Sequence, residues 1–263
     1  MTRLFLIAAG MLACLAGGLP AQAAELVSHK AFYALSLRSA APDAGIATMQ
    51  GRMAITFDNV CEGYAYEQRI VSEVTDPDGQ VRVTDFLVSS YEAKDGSLYR
   101  FNHANRFNGV VVERQEGVAT ARPGESPRVR IEVPEPRDLA LPEGVLFPIA
   151  HTRDLLAALA AGARTHAVTV FDESTEGFVL LSDSLLLARR APQAFEDDPR
   201  SDQPAWRIKV AYYDPARLDG TPEYEVTLTL YDNGIADELV MDYGDFVVDG
   251  ELVELVPGVT GGC

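Results

Sequence analysis

Basic residues are scarce in this chain of 263 residues. Lysine and arginine number 22 against 39 aspartate and glutamate residues, so the formal net charge is −17. Nucleic-acid binding needs clustered lysine and arginine to neutralise phosphates, so we expect no nucleic acid among the partners. The same acidity argues against electrostatic docking on an anionic lipid surface.

Long apolar runs are lacking beyond the first residues. Arg3 precedes an apolar run from Leu4 to Leu15, and Ala21-Gln22-Ala23 forms an A-x-A cleavage site. This pattern predicts a cleaved signal peptide at residues 1–23, too short for a membrane span. We therefore expect an exported domain, residues 24–263, with no transmembrane segment. An alternative is that Cys14, which ends a loose lipobox, becomes a lipidated N-terminus instead of being removed.

Cysteine is also rare, with three residues in the chain. Cleavage of the signal peptide removes Cys14 and leaves Cys61 and Cys263. In an oxidising compartment an isolated pair commonly forms a disulfide, which here would hold the C-terminus in place. Two unrelated thiols remain the alternative. The spacing excludes a catalytic C-x-x-C motif.

Most of the exported part alternates between apolar and polar residues, which predicts β-strands. The predicted strands are Leu26 to Arg38, Gly51 to Asp58, Tyr64 to Thr75, Val81 to Tyr91, Ser97 to Asn102, Phe107 to Gln115, Arg128 to Val133, Ala167 to Phe171, Gly177 to Ala188, Ala205 to Tyr213, Tyr224 to Tyr231, Ile235 to Tyr243 and Leu252 to Val256. Asp95-Gly96 and Asn233-Gly234 predict tight hairpin turns. Pro134 to Pro142 predicts an irregular connection, and Pro192 to Pro204 an exposed polar loop.

One helix is predicted among these strands, at about residues 152–162. Thr152 can cap it, Gly162 suits its C-terminal end, and Leu155, Leu156 and Leu159 form an apolar stripe. A lone apolar helix among many strands favours a mainly β fold. We expect an antiparallel, barrel-like domain in which the helix packs against or plugs a concave sheet.

Motifs for catalysis or cofactor binding are missing. The chain has no G-x-S-x-G, H-E-x-x-H, Walker A or Rossmann motif, so we expect no catalytic residue and no cofactor. The four histidines, His29, His103, His151 and His166, are not spaced as a local metal site. His151 precedes the predicted helix, where capping or packing is the favoured role.

Other candidates for chemistry also have simpler interpretations. Asp172-Glu173 and Asp242 to Asp245 are paired acids, which a glycosidase would need at a defined separation. With so many acids in the chain we interpret them as turn and surface charges. Tyrosines along the C-terminal strands are interpreted as core residues rather than a ligand platform: Tyr212, Tyr213, Tyr224, Tyr231 and Tyr243.

Several blocks resemble a known family. His29-Lys30-Ala31-x-Tyr33-x-Leu35-x-Leu37 and Leu141-Pro142-x-Gly144-x-x-Phe147-Pro148-x-x-His151-Thr152 are similar to motifs of the EipB family, a periplasmic cell-envelope-integrity group of alphaproteobacteria. Further similar blocks follow the same order: Gly51 to Met53, Cys61 to Arg69, Phe171-Asp172, Tyr213 to Pro215, Pro222 to Glu225, Asn233-Gly234, Asp242 to Phe246 and the terminal Cys263. Ser39 to Gln50 and Pro192 to Pro204 have no counterpart in this pattern.

The resemblance implies a β-spiral with a helix against its concavity and a periplasmic disulfide between Cys61 and Cys263. It also implies a role in resistance to envelope stress, a partner with tetratricopeptide repeats, and no established enzymatic activity. We therefore expect a non-catalytic periplasmic protein of a Gram-negative envelope that acts through protein contacts. Two alternatives are a carrier of a lipid or other apolar ligand in the lumen of the spiral, and an enzyme with titratable residues near His151.

Overall fold

A computed structural model describes residues 25–259 of the chain, except residues 123, 176, 177 and 218. The predicted signal peptide, Cys14 and Cys263 lie outside the described residues. The described elements are β1 (His29–Ala40), β2 (Thr48–Val60), β3 (Gly63–Thr75), β4 (Val81–Ala93), β5 (Leu98–Phe107), β6 (Val110–Thr120), β7 (Arg128–Val133), β8 (Arg137–Ala140), α1 (Pro148–Ala160), β9 (Thr165–Phe171), β10 (Val179–Arg190), β11 (Ala205–Tyr213), β12 (Tyr224–Tyr231), β13 (Ala236–Asp242) and β14 (Phe246–Pro257).

The 14 strands form one antiparallel sheet in the order β8-β7-β6-β5-β4-β3-β2-β1-β14-β13-β12-β11-β10-β9. The seven strands β2 to β8 meander outward on one side of β1, and the six strands β9 to β14 lie on its other side. His29 in β1 lies opposite both Phe57 of β2 and Pro257 of β14. The sheet does not close, because its two edge strands, β8 and β9, do not pair with each other. The expected mainly β, barrel-like architecture is confirmed.

The two ends of the sheet meet through an aromatic core. Tyr99 and Phe101 of β5 pack with Phe147 and with Phe171 of β9, and the rings of Tyr99 and Phe147 lie 5.4 Å apart. Leu146, just before α1, is bonded to β9, since its N–H donates to the carbonyl of Thr169 at 2.9 Å. These contacts curl the sheet into a spiral without joining β8 to β9.

Helix α1 lies in the concavity of this spiral. Its stripe of Leu155, Leu156 and Leu159 is buried in a cluster that includes Phe57 of β2 and Trp206 of β11. Burying each leucine contributes about 1.5–3 kcal/mol. The prediction that the helix packs into a concave sheet is confirmed. The helix therefore connects the two halves of the spiral.

The predicted start of the helix is wrong. Helix α1 begins at Pro148, and Thr152 lies inside it, where its hydroxyl donates to the carbonyl of Pro148. Proline suits the first helical position, because it lacks the N–H that would be unsatisfied there. The predicted C-terminal end is confirmed, since Gly162 adopts a φ of 100°.

Two strand predictions also need correction. The predicted strand Phe107 to Gln115 contains a turn, because Asn108 and Gly109 have φ values of 50° and 80° and join β5 to β6. Such a pair of left-handed residues is typical of a two-residue hairpin. The predicted irregular connection Pro134 to Pro142 contains the short strand β8, which its prolines concealed. The turns at Asp95-Gly96 and Asn233-Gly234 are confirmed.

Candidate functional site

The N-terminus of α1 is held by a carboxylate from the sheet. Glu92 of β4 is 2% exposed and accepts hydrogen bonds from the N–H groups of Ile149 at 2.8 Å and Ala150 at 2.7 Å. These N–H groups have no acceptor within the helix, and the N-cap residue Phe147 provides no side-chain bond. Burial raises the pKa of Glu92 to about 7, although the two backbone bonds oppose this effect. Glu92 thus replaces a local N-cap.

His151 lies within the first turns of α1, not before the helix as predicted. Its Nε2 atom is 3.0 Å from the hydroxyl of Ser182 in β10, and both side chains are buried. Burial, assisted by His166, lowers the pKa of His151 to about 4, so its imidazole is neutral near pH 7. His166 contacts Asp154, with Nε2 and Oδ2 2.8 Å apart. The structure therefore brings His151, Asp154 and His166 close together around the helix.

A second buried carboxylate lies where the two ends of the spiral meet. The hydroxyl of Tyr99 donates to Glu173 at 3.2 Å, and the side chain of Gln115 donates to the carbonyl of Glu173 at 2.5 Å. Burial first, and then the charge of Asp172, raise the pKa of Glu173 to about 7. The prediction that Glu173 is a surface charge is wrong, because the curl of the sheet encloses it.

A cavity of about 210 Å³ lies between α1 and the sheet. Its wall is mainly apolar and aromatic, with Tyr33, Phe57 and Tyr66 from the N-terminal strands and Ile149 from the helix. Burial raises the pKa of the Tyr66 hydroxyl, which donates to the side chain of Gln68 at 2.9 Å. The cavity is the part of the lumen that α1 leaves unfilled.

Three of the predicted core tyrosines form a row on the inner face. The rings of Tyr212 and Tyr224 stack at 4.6 Å, and that of Tyr243 lies 6.4 Å from Tyr224. The hydroxyl of Tyr224 donates to Asp172 at 3.2 Å. Tyr243 at the end of the row is 42% exposed, so its interpretation as a core residue is wrong and the row extends from the core to solvent.

The last residues of β2 and the last residues of β14 lie at the same end of β1. Cys61 directly follows β2. Ser28 connects the two regions, since its carbonyl accepts the N–H of Gly258 at 2.8 Å and its hydroxyl accepts the N–H of Asn59 at 2.9 Å. Cys263 lies outside the described residues, so the disulfide stays a prediction.

Other candidate residues are dispersed. His29 lines the cavity, and His103 on β5 is buried. Within residues 25–259, as far as they are described, no group of three or more histidine, cysteine or acidic residues could hold a metal ion. Helix α1 is too short to cross a membrane, and the described part of the chain contains no helix that could.

Sequence reasoning missed Glu92, Ser182 and the burial of Glu173. Each bonds to an element far away in the chain, so no local motif marks it. The one available signal was the poor N-terminal cap at Pro148, which requires an acceptor from elsewhere.

Comparisons with known proteins agree with this fold. A family model described as EipB-like matches residues 20–257. The chain is 33% identical over 243 residues to the cell envelope integrity protein EipB of Brucella abortus. This match covers 89% of this chain and 85% of that protein. It is also similar to the crystal structure of a beta-barrel-like protein of a domain of unknown function from Brucella abortus. That similarity has a TM-score of 0.83 and 31% identity, and covers 90% of this chain and all (100%) of the other.

Proposed function

Because this chain belongs to the EipB-like family, we propose that it maintains cell-envelope integrity under envelope stress, in the periplasm and without catalysis. The observation that carries this proposal is the 33% identity to a cell envelope integrity protein over most of both chains. In this proposal the protein acts through contacts with a periplasmic partner, such as a protein with tetratricopeptide repeats.

The buried polar groups support a structural rather than a catalytic interior. Glu92 holds the helix, Glu173 accepts from Tyr99, and His151 pairs with Ser182. The hydroxyl of Ser182 resembles a nucleophile beside a base, but its residue is 0% exposed. A nucleophile must reach a substrate atom, and this hydroxyl is covered by protein.

Complementation tests this proposal. In the source bacterium, deletion of the gene should lower survival in detergent, and the wild-type gene should restore it. Ser182→Ala should restore survival equally, because in this proposal the hydroxyl only holds His151 in place and takes part in no reaction. A Ser182→Ala protein that folds with an unchanged melting temperature but gives no protection would refute the non-catalytic role. Failure of the wild-type gene would refute the role in the envelope.

A second candidate function is the carriage of an apolar ligand, and the cavity beside α1 is the observation that favours it. Its volume of about 210 Å³ is below the roughly 300–1,000 Å³ of typical ligand pockets. It could hold a small apolar molecule or one end of a longer chain. A whole lipid would require α1 to move outward.

Native mass spectrometry of protein purified from the periplasm, followed by organic extraction, distinguishes these candidates. A stoichiometric apolar molecule that is lost in Ile55→Asp, a change in the cavity wall, would favour the carrier. Val71→Asp, an exposed position on β3, serves as the control. A chain that carries no apolar molecule would favour protein contacts.

A further inference from the structure

Half of β6 is an open sheet edge. On one side β6 pairs with β5 from Val110 to Thr120, but on its other side β7 pairs only with Glu116 to Thr120. Within the described part of the chain, no strand lies beside Val110 to Gln115. An open edge exposes unpaired backbone N–H and C=O groups, which can pair with another extended chain.

The turn before β6 sets which groups face this edge. Asn108 and Gly109 form a two-residue hairpin, in which Phe107 and Val110 bond to each other. Bonded and non-bonded pairs alternate along an antiparallel ladder, so the N–H and C=O of Val111 point away from β5. The register then shifts between Val111 and Glu113, which leaves Val112 as the extra residue of a bulge.

The side chains along the edge are unusually apolar for a surface. Val110, Val111 and Val112 are 66%, 51% and 60% exposed. Phe107, which lies opposite Val110 on β5, is 40% exposed and adds to the apolar surface at the start of this edge. β-branched residues on an open edge favour pairing with a further strand.

The far end of the edge is acidic. The Glu113 side chain is 53% exposed, and the histidine 4.0 Å from it, His103, is buried, which lowers the pKa of His103 and favours its neutral form. Glu132 and Glu135 are exposed where β7 ends, next to the position that a strand added beside Val110 to Gln115 would occupy. Nearby arginines are already engaged, Arg114 with Glu116 and Arg130 with Asp138.

These observations define the occupant. A second copy of this chain would bring a formal net charge of −17 against the same acidic edge, which opposes pairing. A basic segment is instead attracted by Glu113, Glu132 and Glu135. We propose that the β6 edge binds an extended, β-branched segment with flanking lysine or arginine from a partner protein, as an added strand. This inference rests on the proposed action through protein contacts and names the surface that makes them.

The test uses the exported chain and a fluorescein-labelled probe peptide, Lys-Lys-Thr-Val-Thr-Val-Thr-Val-Lys-Lys. Fluorescence anisotropy should show saturable binding, and binding should weaken at least tenfold when glutamate replaces the lysines. Val111→Pro should also weaken it at least tenfold. Proline at this position removes the N–H of Val111, which makes no hydrogen bond to β5, so β6 can still fold. The added strand then lacks this N–H as a hydrogen-bond donor for one of its carbonyl groups.

Matched lysine variants test the apolar part. Val112→Lys on the edge, at a position 60% exposed, should weaken binding, while Val253→Lys on β14, at a position 59% exposed, should not. Equal binding by Val111→Pro and wild type, or equal weakening by the two lysine variants, would overturn the proposal. So would a sedimentation result in which the chain dimerises through this edge and the peptide does not bind.

Complementation separates this inference from the role in the envelope. Val111→Pro should fold with a near wild-type melting temperature and fail to restore survival in detergent. If it restores survival fully, the edge is not the functional contact, whereas the envelope role still stands. If the wild-type gene fails to restore survival, the proposed function itself is wrong.

Discussion

Removing the side chain of Glu92 should destabilise the protein, and more at low pH than at high pH. Glu92→Ala leaves the N–H groups of Ile149 and Ala150 buried without an acceptor, which costs about 1–3 kcal/mol each. Burial raises the pKa of this carboxyl from 4.5 to about 7. The folded wild type therefore favours the protonated carboxyl. The stability that this preference contributes is present in full below pH 4.5 and is lost as the pH rises through 7.

The size of the pH effect follows from the shift. At about 1.36 kcal/mol per pKa unit, a change from 4.5 to about 7 corresponds to about 3 kcal/mol. We expect Glu92→Ala to lower the free energy of unfolding by about 4 kcal/mol at pH 5 and by about 1 kcal/mol at pH 8. Comparing variant with wild type at each pH removes the contribution of Glu173, which both chains share.

Urea unfolding at pH 5 and pH 8 measures this difference. The single tryptophan, Trp206, packs in the same cluster as α1, so its fluorescence should report the loss of the helix contacts. Glu254→Ala removes an exposed carboxylate of β14 and should change little at either pH. Glu92→Gln keeps one acceptor and provides a second variant if alanine prevents folding. A loss of stability in Glu92→Ala that is equal at both pH values would refute the reasoning.

Three further predictions concern other parts of the fold. Cys61→Ser, or reductant added to the wild type, should lower stability by up to about 5 kcal/mol if Cys61 pairs with Cys263, and thermal unfolding unchanged by reductant would contradict the pairing. His151 should stay neutral down to about pH 4, so its ring protons in NMR spectra should show no titration step near pH 6.5. Leu156→Ala should cost about 2–5 kcal/mol in urea unfolding, because Leu156 is 0% exposed between the two halves of the spiral, and a cost below 1 kcal/mol would show that α1 contributes little.

Local patterns were sufficient to predict most helices and strands but not the residues at which they begin and end. Alternation along His29 to Leu37 and the turn at Asn233-Gly234 depend on neighbouring residues alone, and both predictions agree with the structure. The helix start was misplaced because its N-terminal acceptor, Glu92, comes from β4. Thr152 looked like a cap only because no local residue provides a better one. Asn108-Gly109 was a readable turn signal that the surrounding valines concealed.

The sequence by itself determined the mainly β class, the apolar stripe of the helix, and the family through its ordered motifs. These features depend on periodicity and local residue identity, which an amino-acid sequence states directly. Only the tertiary structure decided that Glu92 and Glu173 are buried, that His151 meets Ser182, and that β6 has an open edge. Each of these features depends on which distant strands become neighbours when the sheet curls. Hydrophobic alternation indicates which face of a strand is buried but not which strand lies beside it, so it does not predict them.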